Sequence, residues 1–255
     1  LEEQLGLKLF ERVPRRVALT NEGRLLLPHV EEILKSCNNL KTFSGEVMQL
    51  PSGEVTIASI HSIGMYELGA SLRRFLSVYP RIHVRLKYIQ ASEIYDLVQK
   101  KKVDLGIVAF PEAVPLINSV PFGTDKLVLA VPPGHRFATK LSVKLEQLEG
   151  ERFIAFDEGI PTREAIDNIL RQAKVSVDIR MTNDNIYAIK SAVQAKLGIA
   201  FVPDSTIAEE VRHGVLCAVN VRGADLKRPR AIITHSKRQL SRPAEMFLRS
   251  IASGQ

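Results

Sequence analysis

The stretch "EVTIASIHSIGMYELGASLRRFLSVYPRIHVRLKYI", Glu54–Ile89, decides the fold. Its two ends, EVTIASI and IHVRLKYI, are rich in β-branched residues. The first is a nearly continuous apolar run, the mark of a strand covered on both faces. Between them, Ile63–Tyr79 is predicted to be helical and is stopped by Pro80. A second helix is predicted over Ser92–Lys102, and "VDLGIVAF", Val103–Phe110, reads as a third strand. Strands alternating with helices need crossover connections, so this order predicts a parallel sheet covered by helices.

Toward the C-terminus the pattern starts again. After the strand "KLVLAV" (Lys126–Val131) and the turn Pro132-Pro133-Gly134, "RFIAF" precedes a helix over Pro161–Ala173. "VDIRMT" precedes one over Asp184–Lys196, and "GIAFVP" one over Asp204–His213. The strands "LCAVNV" and "RAIITH" and a helix over Ser241–Ile251 finish the chain. Two α/β lobes of similar weight are expected, lobe 1 over about 53–130 and 228–255 and lobe 2 over about 131–227. One continuous doubly wound domain is the alternative.

In open α/β sheets a ligand lies beyond the carboxyl ends of the strands, at the starts of the following helices. Free N–H groups and the positive end of the helix dipole suit these places to anions. Here the tips offer Ser62 with the Ile63 and Gly64 backbone, then Ser92, Thr162, Arg163 and, with less support, Asn185. The hydroxyls are donors, and Arg163 could grip a carboxylate, sulfate or phosphate in two places. Taken singly, Ser62, Ser92, Thr162 and Asp184 read equally as helix caps; their convergence on one cleft is what favours a ligand site. No GxGxxG, Walker loop, GxSxG or HExxH occurs, and the six histidines show no metal-ligand spacing. His61 is singled out only because it adjoins the first strand tip. Asp157-Glu158 sits on a loop, where neighbouring side chains diverge. Binding without catalysis, cofactor or metal is expected.

Toward the N-terminus stands "LKLFERVPRRVALTNEGRLLL", Leu7–Leu27. Phe10–Val13 and Val17–Leu19 form a small hairpin around Pro14-Arg15-Arg16, and Thr20 is a good N-cap for a helix over about 21–49. Leu26, Val30, Ile33, Cys37, Leu40 and Val47 follow four- and three-residue steps, with Ser44 polar in the register, a 3.5-residue period that favours a two-helix seam. An ordinary amphipathic helix is the plainer reading. Pro28 should kink it near its start, and Pro51-Ser52-Gly53 should end it. A hairpin this small cannot bury a core, so either the segment packs on something missing or it serves something other than stability; an opening on Leu1 rather than Met suggests a fragment or a missing front end.

Composition sets the outer limits. The 255 residues are 45% hydrophobic, which allows a sizeable core. The net charge is +7, yet residues 1–50 hold seven Lys/Arg and seven Asp/Glu, so the excess lies further on. Charge alone therefore does not identify a DNA-binding protein. With two cysteines in no motif, no signal peptide and no membrane span, a cytoplasmic location is expected.

At the front the residues carry a resemblance. Leu1-Glu2, Leu5-Gly6, Leu9-Phe10 and Arg12, followed by Leu19-Thr20 and Gly23, resemble the back half of the winged helix-turn-helix of LysR-type transcriptional regulators. "VPPGH" (Val131–His135) and "GIAFVP" (Gly198–Pro203) are similar to further family features. The resemblance covers essentially the whole chain and implies an α/β architecture in three parts. These are the end of a winged helix-turn-helix (1–20), a linker and dimerisation helix (21–52), and a two-lobed effector domain like a type II periplasmic binding protein (53–255). It implies double-stranded promoter DNA as partner, with Lys8, Arg12, Arg15, Arg16 and Thr20 on phosphates, and a recognition helix mostly before Leu1. It further implies pairing through the linker helix into dimers or dimers of dimers, RNA polymerase as a further partner, and no membrane. "FDEGIPTREAID" (Phe156–Asp167) is similar to family members that regulate sulfur assimilation, so a small anionic effector, a sulfur oxyanion or a carboxylate, is expected. A periplasmic solute-binding protein and a cytoplasmic enzyme on the same two-lobed fold are the rival classes.

Overall fold

A computed structural model of the chain describes residues 1–13, 16–34 and 51–252. It divides into two compact units, Leu1–Pro51 and Ser52–Gln255.

In the first unit a single turn of helix, α1 (Glu2–Leu5), is followed by the antiparallel strands β1 (Phe10–Val13) and β2 (Arg16–Leu19), with Phe10 opposite Leu19. A Glu2 carboxylate oxygen accepts from the N–H groups of Leu9 and Phe10 at 2.6 and 3.1 Å, tying α1 to β1. Helix α2 follows over 21–34, with its backbone helical through Pro28. Thr20 caps it by accepting from the Gly23 N–H at 3.0 Å. A Cβ on Gly23 would stand 2.3 Å from the Leu9 carbonyl oxygen, so the helix can lie this close to the hairpin only with glycine there. Leu9 is buried, while Phe10, Val17, Leu25 and Ile33 expose more than half their surface. Of the expected seam, Leu26 and Val30 are half-buried and Ile33 is exposed. Cys37, Leu40 and Val47 lie outside the described residues.

The second unit opens with three parallel strands, β3 (Gly53–Ser59), β4 (Ile82–Tyr88) and β5 (Leu105–Ala109), in the order β4-β3-β5. Their covering helices are α3 (His61–Tyr66), α4 (Leu68–Val78) and α5 (Ala91–Gln99). The single helix expected over Ile63–Tyr79 is in fact two, broken at Glu67 (φ −119°, ψ −35°). The Glu67 carboxylate is there engaged by Arg230 and by the Ser205 hydroxyl. Helix α5 lies almost on the sheet, because a Cβ on Gly106 of β5 would come within 2.6 Å of Ile94 and Ile233.

The rest of the sheet is not parallel. β6 (Ile117–Val131) is fifteen residues long, where only Lys126–Val131 was expected; Pro121, Gly123 and Asp125 make its first half look like a turn. That half pairs antiparallel with β12 (Lys227–His235), which itself pairs antiparallel with β5. The β6–β12 ladder shifts register between Pro229 and Ala231. The second half of β6 pairs antiparallel with β10 (Ala200–Pro203) and β11 (Cys217–Arg222), and β11 continues in parallel to β7 (Ser142–Lys144). A separate parallel pair joins β8 (Arg152–Phe156) to β9 (Asp178–Asn183). Helices α6 (Pro161–Gln172) and α7 (Ile186–Gln194) follow these two strands. The helix expected over Asp204–His213 is a 3-10 turn (Asp204–Thr206) and then the short α8 (Ala208–Arg212). The last helix, α9 (Arg242–Ala252), returns to the first lobe, where Phe247 packs edge-on against Phe75.

Apolar burial follows this division. One core runs from Leu127 to Leu226. Two smaller clusters on either face of β3 and β5 draw on residues 55–122 and 232–251. The lobes therefore have separate cores and share the two strands that cross between them, β6 and β12. Among the described residues no helix is long and apolar enough to cross a membrane.

Candidate functional site

Between the lobes lies a cleft of about 600 Å³, including the part open to solvent. Its polar lining comes from both sides: His61, Ser62, Gln90 and Ser92 from lobe 1, Thr162 and Asp184 from lobe 2. Arg228, on β12, completes it, and Ile60, Ile89, Phe156, Ile160 and Ile186 supply apolar wall. Helices α3, α5 and α6 all start here. Their N-cap residues are Ile60, Gln90 and Ile160, and none of the three has a side-chain cap. Ser62, Ser92 and Thr162 each stand second in their helix, so the capping role open to them is not the one they fill. Three helix starts thus bring uncapped N–H groups to one cleft, and with them the positive ends of three dipoles.

Arg228 holds the floor of the site. It is 2% exposed and donates to the Ser62 hydroxyl of lobe 1 at 2.7 Å and the Thr162 hydroxyl of lobe 2 at 3.3 Å. Its third partner is Asp125 at 2.6 Å, and the other Asp125 oxygen is 3.0 Å from Arg230, which also pairs with Glu67. Burial pushes the Asp125 carboxyl above its usual range, against the pull of the Arg228 guanidinium. Burial also lowers Arg228 and Arg230, from a starting point so high that both remain cations near neutrality. Further contacts link the lobes besides that of Ser205 with Glu67. Gln90 donates to Asp184 at 2.9 Å, and the Lys190 ammonium of lobe 2 lies 4.5 Å from the Tyr66 ring centroid of lobe 1.

Of the residues expected from the sequence to contact a ligand, Ser62, Ser92 and Thr162 line the cleft together. The side chains of the others face elsewhere. Ile63 is buried in the lobe 1 core. Gly64 packs under Tyr88, where a Cβ would come within 2.3 Å of the ring. Asn185 caps α7 by accepting from Tyr187 N–H at 2.9 Å. Arg163 is not among the cleft-lining residues: it donates to the Phe156 carbonyl at 2.7 Å and to Asp167 at 2.8 Å, bracing α6 against β8. A residue third in its helix points about a quarter turn away from its neighbour, and Thr162 takes the cleft side. His61 does line the cleft, with its ring centroid 6.0 Å from that of Tyr88. Arg228 and Gln90 were not anticipated, and Asp184 was weighed only as a strand-tip residue that could cap a helix. The signal for Arg228 was its place in the basic run Lys227-Arg228-Pro229-Arg230 ahead of the apolar Ala231–Ile233, which reads as an ordinary strand boundary.

In the first unit the Lys8 side chain is exposed. Thr20 donates its one hydroxyl proton to the Lys8 carbonyl at 2.7 Å, so it braces the wing rather than offering a donor to phosphate. Arg15 lies outside the described residues, as do the side chains of Arg12 and Arg16.

Comparison with known proteins now adds to this geometry. A "Probable RuBisCO transcriptional regulator" of Emiliania huxleyi is 32% identical over 257 residues, spanning 98% of this chain and 82% of the relative. Regulators of the same description from other organisms match at similar levels, among them that of Trichormus variabilis. The regulatory domain of CcmR from Synechocystis PCC6803, solved in complex with 2-PG, superposes with a TM-score of 0.73 at 27% identity. It covers 79% of this chain and 97% of that one. CbnR, a LysR family regulator at 21% identity, shares the fold with a TM-score of 0.71 over 98% of this chain and 86% of its own. Residues 48–254 match the LysR substrate binding domain, and the chain belongs to the LysR-type transcriptional regulators.

Proposed function

We propose that this regulator is controlled by a small oxyanion bound in the cleft, held by Ser62, Ser92 and Thr162 and by the first-turn N–H groups of α5 and α6, without being turned over. The observation that carries this reading is the convergence of uncapped helix starts from both lobes, each with a hydroxyl in second position, on one cleft. Such ends are anion sites by construction. The likeness to the CcmR domain, which was solved with 2-PG, supports the same class of ligand. The sulfur oxyanions expected from the sequence stay in the panel to be tested, although the relatives reported above carry a different name.

The output side of the reading is DNA. Lys8, Arg12, Arg15 and Arg16 are proposed to contact phosphates, and the α2 face bearing Leu26, Val30 and Ile33 to pair with a second copy. An effector can alter DNA binding only by favouring one arrangement of the lobes over another. Contacts already bridging the lobes, Arg228 with Ser62 and Thr162 and Gln90 with Asp184, are suited to register that difference.

Calorimetric titration with 2-phosphoglycolate, sulfate, thiosulfate and simple carboxylates tests the first half. At least one should bind, and Ser92→Ala should weaken it about tenfold or more, the usual worth of a hydrogen bond to a charged group. Failure of every anion to bind overturns the reading. For the second half, Arg15→Ala with Arg16→Ala in the protein as its gene encodes it should weaken all duplexes about equally. The log–log salt slope should flatten by about 2. Loss of preference at a single base pair would contradict the phosphate role.

A further inference from the structure

The charge around the cleft narrows the ligand further, provided that the cleft is an oxyanion site. Apart from His61, two charged side chains line it among the described residues, Arg228 and Asp184. Arg228 is already matched by Asp125, and Arg230, on the other side of Asp125, is matched by Glu67. That group of four sums to zero. Asp184 then leaves the lining with a negative rather than a positive balance. The remaining attraction for an anion comes from the hydroxyls and the helix ends, each end worth roughly half a charge and felt within a turn. One carboxylate can be held that way. A phosphate ester bearing two or more charges would face Asp184 without a spare cation to offset it.

Asp184 is also an acceptor. It receives one hydrogen bond from Gln90 at 2.9 Å, and an ionised carboxylate has room for about four. A ligand group that reaches it must therefore donate. We propose that the effector is a hydroxylated monocarboxylate, its carboxylate at the starts of α5 and α6 beside Ser92 and Thr162 and its hydroxyls donating to Asp184. Asp184 is then the residue that sets specificity, rejecting multiply charged phosphate esters and favouring hydroxyl-bearing acids.

Titrations of the whole chain with matched ligands test this. Glycerate and shikimate are the hydroxylated acids, propionate and 1-cyclohexenecarboxylate their hydroxyl-free counterparts, and 2-phosphoglycolate the multiply charged ester. At least one hydroxylated acid should bind about tenfold tighter than its counterpart, and tighter than 2-phosphoglycolate. Asp184→Asn keeps an acceptor for Gln90 and removes the charge. It should tighten 2-phosphoglycolate about tenfold, the scale of one like-charge contact in a partly solvated site. Preference of the unaltered chain for 2-phosphoglycolate, or an unchanged 2-phosphoglycolate affinity in Asp184→Asn, overturns this inference and leaves the oxyanion reading standing. If no anion binds either protein, both fall.

Discussion

Replacing Arg228 by Met should cost about 3 kcal/mol of stability, through the group it strands rather than the contacts it loses. Methionine occupies much of the same volume, so the packing loss is small. The stranded group is Asp125, whose side chain is 4% exposed and whose bond to Arg228 is 2.6 Å long. Removing one member of a buried pair typically costs about 3–5 kcal/mol. Arg230, still 3.0 Å from the other Asp125 oxygen, holds the value at the lower end. In a unit of this size each kcal/mol moves the midpoint by about 2–4 °C, so the thermal transition should fall by roughly 6–12 °C. Urea unfolding of wild type, Arg228→Met, Asp125→Asn and the double variant separates this cause from others. If the stranded carboxylate dominates, the double variant should recover about 2 kcal/mol relative to the sum of the singles. Strict additivity, or a midpoint for Arg228→Met within about 1 °C of wild type, would refute the account.

Arg163→Ala should leave anion affinity within about twofold while lowering stability by roughly 1.5–3 kcal/mol, the worth of its charged hydrogen bonds; calorimetry and urea unfolding on one preparation read both. Gly106→Ala must push a methyl against Ile94 and Ile233, both fully buried. It should destabilise by about 1–3 kcal/mol, checked by the denaturation midpoint. Hydrogen bonds from Leu9 and Phe10 hold the Glu2 carboxyl below its ordinary value of 4.5. Its contribution to the first unit is therefore present above that value and is lost as pH falls through the lower, folded one. An NMR titration should find the Glu2 midpoint below 4.5, with the Leu9 amide shift following it; a midpoint at or above 4.5 contradicts the pairing.

How much of this was legible in the sequence follows from where the physics is local. Strands such as EVTIASI and VDLGIVAF are buried on both faces, and burial alone writes an apolar run that survives without context. Thr20, three residues before Gly23, is a cap signal of the same local kind. The first half of β6 was hidden because Pro121 and Gly123 look like a turn; only pairing with β12, more than a hundred residues away, makes it a strand. The cleft divides in the same way. Ser62, Ser92 and Thr162 could be found because a strand-tip rule fixes where helices begin. Whether the cleft side falls to Thr162 or Arg163 depends on helix rotation, set by tertiary packing. Arg228 and Asp125 are a hundred residues apart in sequence, and no local pattern announces their pairing.

The long strand β6 and its partner β12 have a mechanical implication. Both lobes are stitched into one backbone ladder along these two ribbons, so the cleft cannot widen by sliding one lobe past the other without tearing hydrogen bonds. The ladder is interrupted at the skipped register between Pro229 and Ala231, where proline supplies no N–H. Arg228 sits one residue from that spot. The cleft residue Arg228 thus stands next to the interruption in the ladder that β6 and β12 share.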